Sequence, residues 1–260
     1  MDSVNKTLYI PLYGKAYVSR KGILLQDAKA EELWEAEGFP LKGKSASKWL
    51  AYYMGMRSAV FDRWTQEKIR ENPKATVLHI GCGLDNRVGR VAAEGICWYD
   101  VDFPEVISQR KLHYRETETY RMLAGDAREA AWLDIVPGDS AIVVLEGISM
   151  YVKPEELLAL FAALRNRFST VAVLMDCYTK FAAKASKVKN PINDVGVTEV
   201  YGLDDPKALE ESGLRYVSEW AMTPDDLIAQ LHGMEKTVFR KLYAGNMARK
   251  LYRMYEFAGD

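Results

Sequence analysis

The chain has 260 residues, of which 48% are hydrophobic and 27% charged, and its net charge is −1. That length suits one large α/β domain with a cap or two small domains, and the balance is that of an ordinary globular enzyme with a sizeable core. The near-zero charge gives no reason to expect a nucleic-acid partner or a membrane surface, and the longest apolar runs, Ala141–Leu145 and Thr170–Met175, are far too short to cross a bilayer.

Met1–Pro11 lacks the charged start and long apolar stretch of a signal peptide. Cys82, Cys97 and Cys177 form no CxxC pair, which fits a reducing cytoplasm and gives no sign of a disulfide framework or zinc site. His79, His113 and His232 are far apart, and their spacing suggests no metal cluster.

The first 70 residues read as helical. Gln26–Glu37 is rich in Ala, Glu and Leu and ends near Gly38. In Ser45–Glu71, Trp49, Tyr52, Tyr53, Met56, Val60 and Trp64 recur at helical spacing until Asn72–Pro73 stops them. Then the pattern changes. Ala75–Ile80, Ile96–Val101, Thr119–Leu123, Ser140–Leu145 and Thr170–Cys177 read as strands. Phe103–Glu118 and Pro154–Phe168 read as helices between them. Apolar strands alternating with helices predict a parallel sheet buried on both faces. Beyond Tyr178, Lys180–Lys189 is a basic helix candidate and Asn190–Asp205 a loop, and Pro206–Ser212 is helical. Leu214–Glu219 is a strand and Pro224–His232 a helix. Lys250–Phe257 reads as a last strand, although Met234–Tyr255 also has helical spacing. The expected organisation is one domain over 1–260. It has a helical lid (1–72), a sheet core (75–178), a substrate cap (179–212) and a C-terminal part of the sheet (213–260).

Four stretches carry chemistry. In Val77–Asp85 a strand runs into Gly81-Cys82-Gly83 and opens a helix. Glycines there let a ligand approach the backbone. A dinucleotide fingerprint would place a third glycine where Asn86 stands, and Asp85 disfavours a pyrophosphate. The turn therefore suits a ligand carrying positive charge, or it is a plain tight βα turn. Asp102 ends the second strand about 20 residues later, the position from which a carboxylate accepts both ribose hydroxyls; the alternative is a helix N-cap. Asp126, after the third strand, can accept from an adenine amino group or serve as an N-cap. Glu146 ends a very apolar strand, where a buried carboxylate needs a partner. That partner is either a ligand's ammonium or a structural salt bridge. All four stand at carboxyl ends of successive strands, where open α/β sheets bind ligands.

From about Tyr52 to Met175 the chain resembles the leucine carboxyl methyltransferase family, including its tetracenomycin-type polyketide O-methyltransferases. The carriers are Gly81 to Arg87, against "GxGLDxR", Asp100 to Pro104, against "EVDxP", and Glu146 to Tyr151, against "EGxxxY". Asn86 departs from the family's commoner Thr. The resemblance implies a Rossmann-like class I methyltransferase with a seven-stranded, mostly parallel sheet and S-adenosylmethionine as methyl donor. It implies that Gly81 and Gly83 form the cofactor turn, that Asp102 holds the ribose and that Glu146 holds the ammonium. Asp126 and Ala127 would contact adenine. Arg57 falls where the family has an arginine for the methionine carboxylate, with Lys15 as a looser assisting match. Tyr151 is the candidate catalytic residue.

An ionised carboxylate needs no base, whereas a phenol near pKa 10 must lose a proton at about 4 kcal/mol relative to pH 7. His79 reads as packed in its strand and His113 as exposed on a charged helix, and His232 lies in an ambiguous segment. The lack of an evident base favours a carboxylate acceptor, and the resemblance implies the same: the expected substrate is the carboxylate of a small or medium-sized organic acid or polyketide-like metabolite, with a phenol or alcohol as the alternative. Lys180, Lys184, Lys187 and Lys189 either attract such an acid or form a solvated helix face. Trp49, Tyr52, Tyr53 and Tyr201 either roof the pocket or, for the first three, pack the N-terminal helices. A nucleotide oxidoreductase is disfavoured, and a non-catalytic cofactor-binding protein is the remaining class.

Overall fold

The computed structural model describes residues 8–38, 41, 43–186 and 199–260. Three helices come first: α1 (Tyr9–Arg20), α2 (Ala28–Glu37) and α3 (Lys48–Glu71). Asp27 caps α2, accepting from the Ala30 N–H at 2.9 Å, and Ser47 caps α3. Helices α1 and α3 touch through glycines. A Cβ on Gly14 would lie 2.7 Å from the Met54 Cβ, and one on Gly55 would lie 2.8 Å from a Val18 methyl. No side chain fits at either point.

Five parallel strands follow, β1 (Thr76–Ile80), β2 (Trp98–Asp102), β3 (Tyr120–Ala124), β4 (Ser140–Leu145) and β5 (Thr170–Tyr178). Between them lie α4 (Arg87–Val91), α5 (Pro104–Arg110) and α6 (Pro154–Arg167). Next come α7 (Lys180–Ser186), β6 (Arg215–Glu219), α8 (Asp225–Ile228), α9 (Gly233–Leu242), α10 (Gly245–Arg249) and β7 (Tyr252–Gly259). The seven strands form one sheet in the order β3-β2-β1-β4-β5-β7-β6, with β7 antiparallel to both neighbours. Strand β7 thus enters between β5 and β6, and it settles the ambiguous C-terminal segment as helices followed by a strand.

Side chains alternate along each strand, so the sheet supplies two cores. Val77, Val144 and Leu174 pack with Tyr52, Val60 and Trp64 of α3. Leu78, Val143 and Val173 pack with Leu160, Phe161 and Leu164 of α6. Both faces are covered, as the apolar runs predict.

Two expected helices are shorter than their sequence signal. The run Phe103–Glu118 yields only Pro104–Arg110. Tyr114 turns inward, its hydroxyl donating to the Leu84 carbonyl at 3.0 Å, and Thr117 accepts from the Tyr120 N–H. Charge without an apolar stripe does not hold the rest helical. Likewise Pro224–His232 forms the single turn of α8, and the chain restarts as α9 at Gly233, whose φ is +53°. The basic candidate Lys180–Lys189 is helical through Ser186, its remainder lying outside the described residues, as does most of the loop read from Asn190.

Candidate active site

A cavity of about 430 Å³ opens at the carboxyl ends of β1 to β4, beneath α1 and α3. Every candidate site residue lines it: Lys15 and Arg57 from the helices, and Gly81, Gly83, Asp102, Asp126, Ala127, Glu146 and Tyr151 from the strand ends. Leu50, Met54 and Arg57 are spaced i, i+4, i+7, so one face of α3 serves the cavity. Tyr52, Met56 and Val60 occupy the core face. The expected aromatic roof is therefore corrected. Trp49, Tyr52, Tyr53 and Tyr201 do not line the cavity, whereas Phe103, Tyr151, Tyr178 and Tyr252 do.

The glycine turn is held from behind. Gly81 donates to the Val101 carbonyl at 2.7 Å, and Arg110, wholly buried, donates to the Gly83 carbonyl at 3.0 Å. Gly81 has φ +70°, and a Cβ there would sit 2.1 Å from an Ile148 methyl. Its bareness makes room for the loop after β4 as well as for a ligand. The Gly83 N–H points across to Asp102 Oδ2 at 2.8 Å, and the Phe103 N–H meets Oδ1 at 2.8 Å. Asp102 is not the helix cap, since Phe103 takes that position with no side-chain cap. Among the described residues no cation pairs with this carboxylate, and burial pushes it up to about 6.

Asp126 differs. Arg128 engages both its oxygens, and these bonds outweigh partial burial and hold it below the usual carboxylate range. It caps no helix, because the short 3-10 turn Ala130–Ile135 begins after Glu129.

Glu146 finds its partners inside the chain. Arg57 Nε donates to Oε1 at 2.9 Å, and Arg87 Nη2 donates to Oε2. Burial opposes ionisation, but the two guanidiniums prevail and hold Glu146 at about 2. The charge of Asp85 is likewise met by the chain's own Arg90 at 2.7 Å, Lys15 at 3.3 Å and Arg87 at 3.4 Å. Asp62 bridges Arg87 and Arg90, and Arg90 also reaches Asp27. Counted formally, Lys15, Arg57, Arg87 and Arg90 face Asp27, Asp62, Asp85, Glu146 and Asp176. This network carries one negative charge in excess, so an added cationic group meets attraction rather than repulsion.

His79 is packed, as expected. Arg87 Nη1 lies 3.2 Å from its Nε2, and Asp100 lies 3.2 Å from its Nδ1. An arginine can only donate, so Nε2 is the acceptor and Nδ1 carries the proton. Burial lowers its pKa, leaving it neutral. His113 is half-buried rather than exposed, and His232 is exposed and off the cavity. Lys180 and Lys184 are exposed and line no part of it, while Lys187 and Lys189 lie outside the described residues. Burial keeps Tyr151 and Tyr252 protonated far above neutrality.

Sequence reasoning missed Arg87 and Asp176, which do not line the cavity but hold Glu146 and Arg57 from behind. Arg87 was visible as the last residue of the first motif. Asp176 is a lone charge inside the apolar run Thr170–Cys177, and that incongruity is the signal that would have found it.

A family model described as leucine carboxyl methyltransferase matches residues 8–165. The tetracenomycin polyketide synthesis O-methyltransferase TcmP of Streptomyces glaucescens is 30% identical over 244 residues, covering 92% of this chain and 90% of TcmP. In fold, the chain is similar to a DUF574 family protein from Streptomyces avermitilis, with TM-score 0.58, 12% identity and coverage of 95% and 97% of the two chains. It is also similar to the magnesium protoporphyrin IX methyltransferase of Synechocystis PCC 6803 with bound SAH, at TM-score 0.52 and 13% identity, covering 88% of this chain and 93% of that one.

Proposed function

Because the chain belongs to the leucine carboxyl methyltransferase family, we propose that it is an enzyme whose cavity holds S-adenosylmethionine beside a small organic acid, and that it methylates the acid's carboxylate. It is an S-adenosylmethionine-dependent O-methyltransferase with a Rossmann-like fold. Asp102 carries the cofactor's placement. A buried carboxylate with two backbone donors and, among the described residues, no cation bonded to it retains acceptor capacity toward the cavity, and ribose hydroxyls are donors that fit it.

The remaining roles follow from the partners each group has left. Gly81 and Gly83 bring backbone close to the cofactor. Asp126 and Ala127 face adenine, whose amino group shares the carboxylate with Arg128. Arg57 spends Nε on Glu146 and Nη1 on Asp176 and Tyr252. Its Nη2 makes no hydrogen bond among the described residues, so two N–H donors remain for the methionine carboxylate. Lys15 stands beside it, and Glu146 with its surplus-negative network takes the ammonium.

When bound, S-adenosylmethionine supplies a methyl carbon already activated by its sulfonium. The chain's own task is alignment and exclusion of water. Proton removal has neither a free histidine nor a phenolate beside the cavity among the described residues, and Glu199 is the carboxylate left there without an assigned role. The His79 lone pair is taken by Arg87, the buried tyrosines Tyr151 and Tyr252 stay protonated and so offer no phenolate, and Asp102 belongs to the cofactor. A carboxylate acceptor needs no base. Leu50, Met54 and Met150 give its body an apolar wall, and Tyr151 offers a hydroxyl to its oxygen.

Labelled methyl transferred to a candidate acid separates the readings. A methyl ester loses its label as methanol in mild alkali, and this is the expected result. Label that survives alkali marks an ether and a phenol or alcohol acceptor.

A further inference from the structure

We propose that Asp176 is a positioning residue for the cofactor's amino-acid end, acting by fixing the plane of the Arg57 guanidinium and the turn that follows Glu146. The proposal rests on the reading of Arg57 as the carboxylate anchor.

Asp176 lies in β5, fully buried, and does not itself line the cavity. Its Oδ2 accepts from Arg57 Nη1 at 3.1 Å, and its Oδ1 accepts from the Gly147 N–H at 2.6 Å. Glu146 holds Arg57 at Nε, 2.9 Å away. A guanidinium is planar and rigid, so two anchors within its plane leave no rotation. Once Nε and Nη1 are fixed, the direction of Nη2 is set. With Glu146 alone, the group could swing about that single contact.

The second contact works on the same geometry from the other side. Gly147 has φ +75°, and a Cβ there would lie 3.2 Å from both Nη1 and Nη2. The guanidinium therefore lies close against the bare Cα of a residue whose N–H Asp176 also holds. One carboxylate secures the arginine and the backbone it lies against. Tyr252 completes the cluster, its hydroxyl 3.3 Å from Nη1 and its ring edge-on to Tyr178 at 4.8 Å. Asp176 thus joins Glu146 as the second carboxylate that aligns Arg57, set among the Gly147 N–H, the Tyr252 hydroxyl and apolar rings.

The test compares two ligands. S-adenosylhomocysteine carries the amino-acid end, and 5′-methylthioadenosine lacks it. Calorimetric affinities are measured for wild type, Asp176→Asn and Arg57→Ala, with circular dichroism and melting curves to verify folding. Asn keeps the shape of Asp and an acceptor for Gly147, so it remains informative if Asp176→Ala does not fold. The expected result for Asp176→Asn is at least a tenfold loss for S-adenosylhomocysteine and less than a twofold change for 5′-methylthioadenosine. Equal losses for both ligands, or none for either, would overturn the positioning role. If Arg57→Ala leaves the preference for S-adenosylhomocysteine intact, the anchor reading itself fails and the proposal falls with it. Loss of that preference in Arg57→Ala but not in Asp176→Asn rejects the Asp176 role alone.

Discussion

Asp102 and Glu146 stand on either side of β1, both buried, and their environments drive them apart. Burial with only backbone donors raises Asp102 to about 6, whereas Arg87 and Arg57 overcome burial and hold Glu146 near 2. The raised value lies above that of the unfolded chain. Taken alone, Asp102 therefore favours the folded state fully below about pH 4 and loses that contribution, about 3 kcal/mol, as pH rises through 6. Ligand binding runs the opposite way, because ribose hydroxyls need the ionised form. Affinity for S-adenosylhomocysteine should be flat above pH 7 and weaken by up to tenfold per unit below about 6. Asp102→Asn should bind weakly at every pH without that slope. Calorimetry at pH 5 and pH 8 checks both; equal wild-type affinities would remove Asp102 from the ribose site.

At the scale of elements, the contact between α1 and α3 decides whether Lys15 reaches the cavity. Gly14 leaves no room for a side chain against Met54. Gly14→Val should cost about 1–3 kcal/mol by overpacking, read by denaturant unfolding, and should weaken cofactor binding by shifting Lys15 away from Asp85. Unchanged stability would mean that the helices separate freely. The sheet was legible because apolar runs such as Ser140–Leu145 carry their own boundaries, and that strand spans the same residues in the structure. Helix faces were less so. Trp49, Tyr52 and Tyr53 dominate the hydrophobic signal of α3, yet the cavity face is Leu50, Met54 and Arg57, which a core-weighted reading passes over. The motif residues were legible as positions. Their partners were not, since Arg87 meets Glu146 across 59 residues and Arg57 meets Asp176 across 119. Spacing along a chain carries no record of such pairings.

For the molecule as a whole, α1, α3 and four strand ends converge on one cavity, so a ligand there should stabilise the entire chain. At a hundredfold excess over Kd the gain is about 2.7 kcal/mol, or a rise in Tm of about 5–10 °C at this size. S-adenosylhomocysteine should produce it and NAD should not; a shift with NAD alone would contradict the cofactor assignment. The strand order has a further consequence, for the timing of assembly. Strand β6 is made before β7 but can join the sheet only through it, since β7 lies between β5 and β6. From the synthesis of Tyr178 until that of Tyr252, the open edge of β5 waits for its neighbour, a template on which a stray strand of another chain can seat. The strand that closes this edge also delivers Tyr252 to Arg57. A nascent chain therefore acquires protection from aggregation and a finished binding site in the same event.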